Sequence, residues 1–444
     1  MCNAFAHNTH FEEDMIKSLK LLLLFLAVSA TYASKLDVEL QNYIARFQFK
    51  PVPRPTGINR DIYNLGKKLF SEVEISGNRN ISCASCHDPK LGTSDALPLS
   101  LGEDGKTIIA RNSPALFNLD HPEMRMLFWD GRVSYDERAE AYTTPSEVLN
   151  GDYPERWDIT DELGSALAAQ ALFPILNHEE MRGQKGTNEI ADAKSDEEAW
   201  ERIMRRLLGK KEYQELFKKA FPKAMELNIG HLGNALAHFQ KFEFSSTNTP
   251  WDRYLRGQIQ ALSEAEKRGA IIFSTKGRCI VCHGRTILGG NAMANIAAPQ
   301  IGPGKDIRNN DQGRFEVTNE ERHRYVFRAP PLRNVALTAP YFHSGAYETL
   351  MDVVNHYAGG IKSLDEYNSK WLEKFEKTTY KQKIYVETNH YRLFRKKEDA
   401  HPVIKRNMIR LTQSEKEDLV LFLTKSLTDP KFESLKNKKS LNKR

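Results

Sequence analysis

Apolar residues along this chain recur mainly at helical spacing. Residues 229–242 and 412–427 each place apolar side chains three and four positions apart, which is the period of an amphipathic helix. The second segment opens on Thr412 with Glu415 three positions later, the pairing of an N-terminal capping box. No segment alternates apolar and polar residues convincingly enough to predict a strand. The pattern therefore predicts a mainly α protein.

An apolar run near the N-terminus predicts a secretory signal. Two lysines precede the run at 21–30, and small residues before Ser34 offer a cleavage site. The run is short for a helix that spans a bilayer, so cleavage is favoured and an uncleaved anchor is the alternative. We assign residues 1–33 to an N-terminal extension and signal peptide, with either Met1 or Met15 as the start.

The sequence Cys-x-x-Cys-His occurs twice, at 83–87 and at 279–283. It is the attachment signature of haem c, in which both thiols add to the vinyl groups of one porphyrin and the histidine becomes an axial iron ligand. The residues so predicted are Cys83, Cys86 and His87 for one haem and Cys279, Cys282 and His283 for the other. A zinc site or two redox dithiols are the alternatives, but the wide separation and the repeated histidine favour two covalent haems. Because haem c is attached outside the cytoplasm, the motifs and the signal together predict a bacterial periplasmic protein.

Matching segments flank the two motifs in the same order, each motif preceded by a short helical pattern. The paired segments are 65–70 with 268–273, 113–118 with 329–334, and 128–131 with 342–345. A repeat of this length predicts two cytochrome-c-like haem domains. We place them at 34–247 and 248–430, with an insertion at about 363–408 in the second and a basic tail at 431–444.

Charge gives little information about partners. The formal net charge is +6, and basic residues concentrate at 362–410 and in the tail. Neither stretch interleaves aromatic residues and glycine as a nucleic-acid surface does, so we predict no nucleic-acid partner. Solvated faces are the favoured interpretation, and docking of an acidic redox protein is the sharper alternative.

Five further motifs carry a resemblance to a known family. They are Ser-Cys-Ala-Ser-Cys-His-Asp at 82–88, Arg-Asn-Ser-Pro at 111–114, Phe-Trp-Asp-Gly-Arg at 128–132, Tyr-Val-Phe-Arg at 325–328 and Leu-Arg-Asn-Val-Ala-Leu-Thr-Ala-Pro-Tyr-Phe-His at 332–343. From about Asp61 to Leu427 the chain resembles the bacterial di-haem cytochrome c peroxidases, the family that also contains MauG. The resemblance implies that H2O2 is reduced to water at the N-terminal haem. Electrons from a small cytochrome c or a blue-copper protein would arrive through the C-terminal haem. A MauG-like oxidase of a protein substrate and a passive di-haem electron carrier are the alternatives.

The resemblance also assigns residues around the first haem. Trp129 matches the tryptophan that relays electrons between the haems, Gln170 the distal glutamine and Glu180 the distal acid. A carboxylate beside an open haem can take a proton from one peroxide oxygen and return it to the other. The segment at 133–169 is much longer than the usual link, which leaves Glu147 as a weaker candidate for the acid.

The loop after the first motif lacks a histidine that many classical members have. Residues 100–105 read Ser-Leu-Gly-Glu-Asp-Gly, and His121 is the only histidine besides His87 between Cys86 and Trp129. We predict that His121 is a surface residue, with a sixth ligand as the alternative. The N-terminal haem should then bind peroxide without reductive activation.

The second haem departs from the classical His/Met ligation. Tyr357 falls where those members carry methionine, as in MauG-like members, and it shares a helix face with Leu350 and with Val353 or Val354. His356 and Met351 lie off that face and are the weaker candidates, and an open site is the remaining alternative. A phenolate stabilises higher iron oxidation states, whereas methionine raises the potential.

A calcium ion between the domains is the last feature that the resemblance implies. Asn112 matches its side-chain ligand, and Thr338 and Pro340 match the backbone carbonyl donors. Such oxygen ligands suit Ca²⁺.

The residues of the insertion indicate no function. The sequence also does not fix the oligomeric state, and a homodimer is one possibility.

Overall fold

The computed structural model describes residues 34–441, and helices dominate it. The α-helices are α1 (Lys35–Phe47), α2 (Arg60–Phe70), α3 (Cys83–Cys86), α4 (Trp157–Leu163), α5 (Ala166–Gln170), α6 (Asp196–Leu208), α7 (Lys211–Ala220), α8 (Ile229–Glu243), α9 (Pro250–Leu255), α10 (Glu264–Ser274), α11 (Phe315–Thr318), α12 (Leu350–Gly359), α13 (Lys362–Asp365), α14 (Glu373–Phe375), α15 (His390–Glu398), α16 (Pro402–Lys405), α17 (Gln413–Leu421) and α18 (Pro430–Leu441). Single turns of 3₁₀-helix lie at Val73–Ile75, Pro89–Leu91, Glu147–Leu149, Pro174–Leu176, Ile259–Ala261, Cys279–Val281, Glu321–His323, Val335–Leu337 and Lys370–Leu372, and π-turns at His178–Arg182, Glu376–Tyr380 and Phe422–Ser426. The predicted capping box on Thr412 is present at the start of α17.

Short strands form two small antiparallel sheets. In one, β1 (Met126–Leu127), β2 (Val133–Asp136) and β3 (Ala141–Thr143) lie in chain order, and in the other β4 (Met293–Ala294) pairs with β5 (Phe327–Arg328). The pairs Leu127–Val133 and Ala294–Phe327 set the registers. Strands of two to four residues are too short to produce a readable alternation, which is why the sequence did not predict them.

In each half, a helix near its start and a helix near its end cross at a glycine. In the first half α2 crosses α8, and a Cβ on Gly66 would lie 1.9 Å from the Ala235 carbonyl oxygen. In the second half α10 crosses α17, and a Cβ on Gly269 would lie 2.1 Å from the Asp418 carbonyl oxygen. Only glycine permits backbones to approach so closely. The repeated sequence frame therefore corresponds to a repeated helix crossing.

Each half of the chain has its own large hydrophobic core. The helices at the two ends of the described chain, however, each pack on the core of the other half. Leu40 of α1 lies in the second core with Trp251, and Asp37 pairs with Lys267 at 2.7 Å. Phe432 of α18 instead belongs to the first core. Helix α1 thus packs on the half that follows it in sequence, whereas the predicted limits group it with 34–247; those limits remain a prediction.

The insertion folds as short helices that contact both halves. Tyr380 and Ile384 form a small core with Leu99 of the first half and Ile301 of the second. The Tyr380 hydroxyl donates to the Leu99 carbonyl at 2.5 Å and accepts from the Leu99 N–H at 3.0 Å. The insertion therefore holds the loop that follows the first haem motif.

Within residues 34–441, no helix combines the length and the apolar character needed to cross a bilayer. The predicted signal peptide at 1–33 lies outside the described residues.

Candidate active site

A cavity of about 570 Å³ opens beside the first Cys-x-x-Cys-His motif. Cys83, Cys86 and His87 line one side of it, and Gln170 and Glu180 line it as well. This volume is ordinary for a cavity that holds a cofactor.

His87 is oriented as an iron ligand would be. Its Nδ1 lies 3.1 Å from the Thr93 carbonyl oxygen and 3.1 Å from Ser113 Oγ, so Nε2 is the nitrogen left for the cavity. Burial lowers the pKa of His87 to about 4, which keeps the imidazole neutral, the form that binds metals. A ligating histidine commonly donates its other N–H to a backbone carbonyl, and His87 has this arrangement.

The second motif repeats this geometry in a narrower and more apolar cavity of about 170 Å³. His283 Nδ1 lies 3.0 Å from the Leu288 carbonyl oxygen, and burial lowers the pKa of His283 to about 4. Each histidine thus donates from Nδ1 to a backbone carbonyl of its own loop, and both are neutral, although the two loops differ in sequence.

The cysteines suit thioether attachment better than zinc or redox chemistry. All four are free of disulfides, and burial raises the pKa of Cys83, Cys86 and Cys279 to about 12. Reactive or zinc-binding cysteines are instead held as thiolates in electropositive surroundings. Among the described residues, no group of three or more His, Cys, Asp or Glu could hold a metal ion by itself. Residues on both cavities therefore fit a covalently attached haem.

The lining of the first cavity also includes polar side chains. Gln170 ends helix α5, and Glu180 lies in the π-turn His178–Arg182, where Asn177 Nδ2 donates to its Oε1 at 3.1 Å. Burial raises the pKa of Glu180, with Arg132 and Lys305 opposing that shift. An enclosed carboxylate of raised pKa can exchange a proton near neutral pH. The predicted pair, Gln170 and Glu180, does come together here.

The alternative residues are not part of this cavity lining. Glu147 begins a 3₁₀ turn elsewhere in the long segment. His121 Nδ1 instead accepts from the Glu123 N–H at 3.2 Å. Neither side chain is placed to act on a group bound between His87 and Glu180.

The second cavity has a tyrosine on its far side. Leu350, Val353 and Tyr357 of α12 line it together, as their shared helix face predicts. Burial raises the pKa of Tyr357 well above its ordinary value, and its hydroxyl has no hydrogen-bond partner in the part of the chain that the structure describes. A buried phenolate needs a nearby cation, and an iron would supply one.

The other two candidate iron ligands on α12, His356 and Met351, have different surroundings. His356 uses both ring nitrogens, Nδ1 with the Tyr347 hydroxyl at 3.0 Å and Nε2 with the Ile296 carbonyl oxygen at 2.8 Å. Met351 is absent from the cavity lining. Tyr357 as the iron ligand stays a prediction, and its position is compatible with it.

Trp129 lies between the two cavities and lines both. It is 9% exposed, and its Nε1 donates to the Asn112 carbonyl oxygen at 2.8 Å, which fixes the ring. A planar aromatic that touches both haem cavities is placed to pass electrons between them.

Sequence reasoning missed the role of Arg328, which also lines both cavities. Its backbone N–H donates to the Trp129 carbonyl at 2.8 Å and its Nε to the Phe128 carbonyl at 2.9 Å. It is buried, with no ion-pair partner among residues 34–441, and burial lowers its pKa to about 10. An unpaired buried cation is costly, so the carboxylates of a haem fit beside it. The signal was present, since Arg328 ends the Tyr-Val-Phe-Arg motif.

The three predicted calcium ligands lie close to this region. The Asn112 N–H donates to the His343 carbonyl at 2.7 Å, which joins it to the segment that contains Thr338 and Pro340. Asn112 Nδ2 donates to the Leu97 and Pro98 carbonyls, leaving its Oδ1 available. Calcium binding here stays a prediction.

Comparison with known proteins agrees with this geometry. The family model of the di-haem cytochrome c peroxidases matches residues 60–260. The chain is 32% identical to cytochrome c551 peroxidase of Pseudomonas aeruginosa over 314 residues, which are 69% of this chain and 76% of that protein. It is 28% identical to the methylamine utilization protein MauG of Methylorubrum extorquens over 335 residues, covering 75% of this chain and 79% of that protein.

Solved structures support the fold alone. A MauG-like protein associated with microbial copper homeostasis is 24% identical, with a TM-score of 0.59 and coverage of 87% of this chain and 95% of that one. The diheme peroxidase BthA of Burkholderia thailandensis is 20% identical, with a TM-score of 0.55 and coverage of 86% and 88%. The predicted mainly α fold is confirmed, and the relatives named cytochrome c peroxidases confirm the predicted oxidoreductase class. Two haem c groups are the cofactors that the matched di-haem family implies. The chain belongs to the di-haem cytochrome c peroxidase family.

Proposed function

We propose that this protein reduces H2O2 to two waters at the haem bound by Cys83, Cys86 and His87. The electrons pass from the haem at His283 through Trp129. The observation that carries the proposal is the asymmetry of the cavities: both present a proximal histidine, but only the first faces it with a carboxylate.

In the first cavity the side chains move the protons. When bound, the haem supplies the iron at which the O–O bond breaks and through which electrons arrive. Glu180 takes the proton from one oxygen of H2O2 and delivers it to the other as water leaves. Asn177, which donates to Glu180 Oε1, orients the carboxylate, and Gln170 is placed to hydrogen-bond the peroxide. Two electrons and two further protons complete the conversion to two waters.

In the second cavity the side chains suit electron transfer instead. The lining of this cavity is largely apolar and includes no carboxylate. Trp129 and Arg328 connect the two cavities through short backbone and side-chain contacts. A one-electron donor, either a small cytochrome c or a blue-copper protein, would supply the electrons.

Three finer features belong to the same proposal. The chain is exported to the periplasm after cleavage before Ser34, as the signal pattern predicts. A calcium ion bound by Asn112 and by the carbonyls of Thr338 and Pro340 holds the haem loops in register. A homodimer is compatible with the proposal and is not required by it.

A second candidate function is a MauG-like oxidase that draws electrons from a protein substrate. Tyr357 favours it, because a hard anionic ligand stabilises an oxidised second iron rather than a high-potential electron acceptor. A passive electron carrier is less compatible with the cavity, since Gln170 and Glu180 have no role in it.

Steady-state turnover tests the proposal. The holoprotein should oxidise two molecules of a reduced small cytochrome c for each H2O2 consumed. Cys86→Ala with His87→Ala, which removes the first haem attachment, should abolish turnover. Peroxide consumption without oxidation of any small donor would instead favour the oxidase, and no peroxide consumption would leave the carrier.

A further inference from the structure

A line of aromatic side chains leads away from the second cavity. Phe342 and Tyr357 both line that cavity, with ring centroids 6.0 Å apart. Tyr347 follows, its ring 5.3 Å from that of Phe342. Tyr347 is therefore one ring removed from the residues that surround the second haem.

Tyr347 has a built-in proton acceptor. Its hydroxyl lies 3.0 Å from His356 Nδ1. The other nitrogen, His356 Nε2, lies 2.8 Å from the Ile296 carbonyl oxygen, which accepts and so requires the hydrogen on Nε2. His356 Nδ1 is then an acceptor. Ser363 Oγ also lies 2.8 Å from it, but the Ser363 hydroxyl donates to the Gly360 carbonyl at 2.6 Å, which leaves Tyr347 as the donor to Nδ1. A phenol loses its proton when it loses an electron, and this hydrogen bond gives the proton a place to go.

The line continues into the insertion and reaches the surface. The Tyr367 ring is 5.5 Å from that of Tyr347. The Tyr367 hydroxyl and Trp371 Nε1 both donate to the Ala346 carbonyl, at 2.8 and 3.2 Å. Trp371 is partly exposed. The insertion thus contributes the two outer members, and both are side chains that can be oxidised by one electron.

Packing alone does not require that the rings of this line be tyrosine and tryptophan. Elsewhere the large aromatic clusters are built mainly of phenylalanine, as around Phe239 and Phe244. Here tyrosine and tryptophan predominate, and they form one path from cavity to surface in which Tyr347, Tyr367 and Trp371 each have a hydrogen-bonded O–H or N–H.

We propose that Trp371, Tyr367 and Tyr347 form a relay that brings electrons from the surface to the second haem. The inference rests on the proposed function, because H2O2 is the oxidant that creates the demand for electrons. Tyr347 gives one electron toward Phe342 and Tyr357 while its proton moves to His356 Nδ1. An electron from Trp371, transferred across the Tyr367 ring without oxidising it, restores Tyr347, and the proton returns to its oxygen. A one-electron redox protein outside then reduces Trp371, twice for each H2O2 converted to two waters.

Oxidation mapping of the holoprotein tests the relay without measuring turnover. The protein is exposed to successive small doses of H2O2 with no donor, and its peptides are analysed by mass spectrometry. Trp157 is the internal control: it is 65% exposed, more than Trp371, and lies off the line. Met225, which is fully exposed, reports attack by peroxide in bulk solution.

The relay predicts that Trp371 is oxidised well before Trp157, and that a reduced small cytochrome c protects it. Tyr347→Phe keeps the ring but removes the proton donor, so Trp371 oxidation should fall severalfold while Met225 oxidation is unchanged. Tyr385→Phe, whose hydroxyl contacts Glu387, is the matched variant and should have no effect.

Two outcomes overturn the relay: Trp157 oxidised as fast as Trp371, or Trp371 oxidation that Tyr347→Phe leaves intact. Both are distinct from a failure of the proposed function, in which the wild-type protein would not consume H2O2 at all.

Discussion

Beyond the attachment residues, the lining of the first cavity includes the polar groups Gln170, Asn177 and Glu180, whereas the lining of the second includes the apolar residues of α12 together with Tyr357. The attachment sides are almost the same, down to a backbone carbonyl that orients each histidine. A duplicated framework has therefore kept the means of binding a haem and changed what faces it. The facing side decides whether a cavity performs proton chemistry or electron transfer.

The largest effect should come from removing Glu180, because only the first cavity has carboxylates in its lining. Glu180→Gln keeps the shape and the bond from Asn177 but cannot carry a proton. Peroxide turnover should fall by roughly 10²–10⁴-fold, the usual contribution of a general acid–base. Glu179→Gln, at the exposed neighbour that also lines the cavity, is the matched control and should be near wild type. A fall of less than about threefold for Glu180→Gln would show that Glu180 is not the acid.

The pH dependence of peroxide turnover tests the role of Glu180 further. Burial raises the pKa of Glu180 above the value of about 4.3 for an ordinary glutamate. The carboxylate must be ionised to accept the peroxide proton, so the rate should decline as the pH falls through that raised pKa. This acidic limb should be missing in Glu180→Gln, and an identical limb in both proteins would assign it to another group.

A smaller effect should follow from making the second cavity resemble a classical one. Tyr357→Met replaces an anionic oxygen by a neutral thioether, which disfavours ferric iron. The potential of that haem should rise by roughly 0.1 V or more, within the ~0.8 V range that axial ligands cover. Potentiometric titration measures it, with Met351→Leu as the control on the same helix. An unchanged potential would mean that Tyr357 is only a core aromatic.

The smallest effect concerns the contact that joins the insertion to the first cavity. Tyr380→Phe removes both hydrogen bonds to Leu99 and leaves two buried backbone groups unpaired, at a cost of about 1–3 kcal/mol. The neighbouring Leu101 lines the first cavity, and the Glu103 N–H donates to the Glu179 carbonyl beside Glu180. Hydrogen exchange at 97–103 should accelerate, and peroxide turnover should fall severalfold.

Exchange that is unchanged in Tyr380→Phe would show that the insertion does not hold this loop. Tyr385→Phe serves again as the control, because its hydroxyl bonds within the insertion.

The sequence was sufficient wherever the signal was local. The spacing of the Cys-x-x-Cys-His motifs located both proximal sides, and the 3.6-residue period of α12 placed Tyr357 with Leu350 and Val353 on one face. Motif matching placed Trp129, Gln170 and Glu180, which the structure brings to the cavities. The roles of these residues remain predictions.

Contacts between distant parts of the chain were not predictable in this way. Tyr380 hydrogen-bonds to Leu99, which is 281 positions away in the sequence. Helix α1 packs on the second half rather than the first. No periodicity or spacing encodes which surfaces meet, because that choice depends on the packing of the whole chain. Arg328 is an intermediate case: its motif was visible, but its place between the cavities depends on the pairing of β5 with β4.

The first haem should have an open side facing Glu180, whereas the second should be ligated on both sides. Absorption and electron paramagnetic resonance spectra of the fully oxidised holoprotein test this difference directly, before and immediately after mixing with H2O2. We predict one high-spin and one low-spin ferric haem, with the high-spin signal lost at once on mixing and no prior reduction needed. Two low-spin haems that react with H2O2 only after reduction would contradict the account.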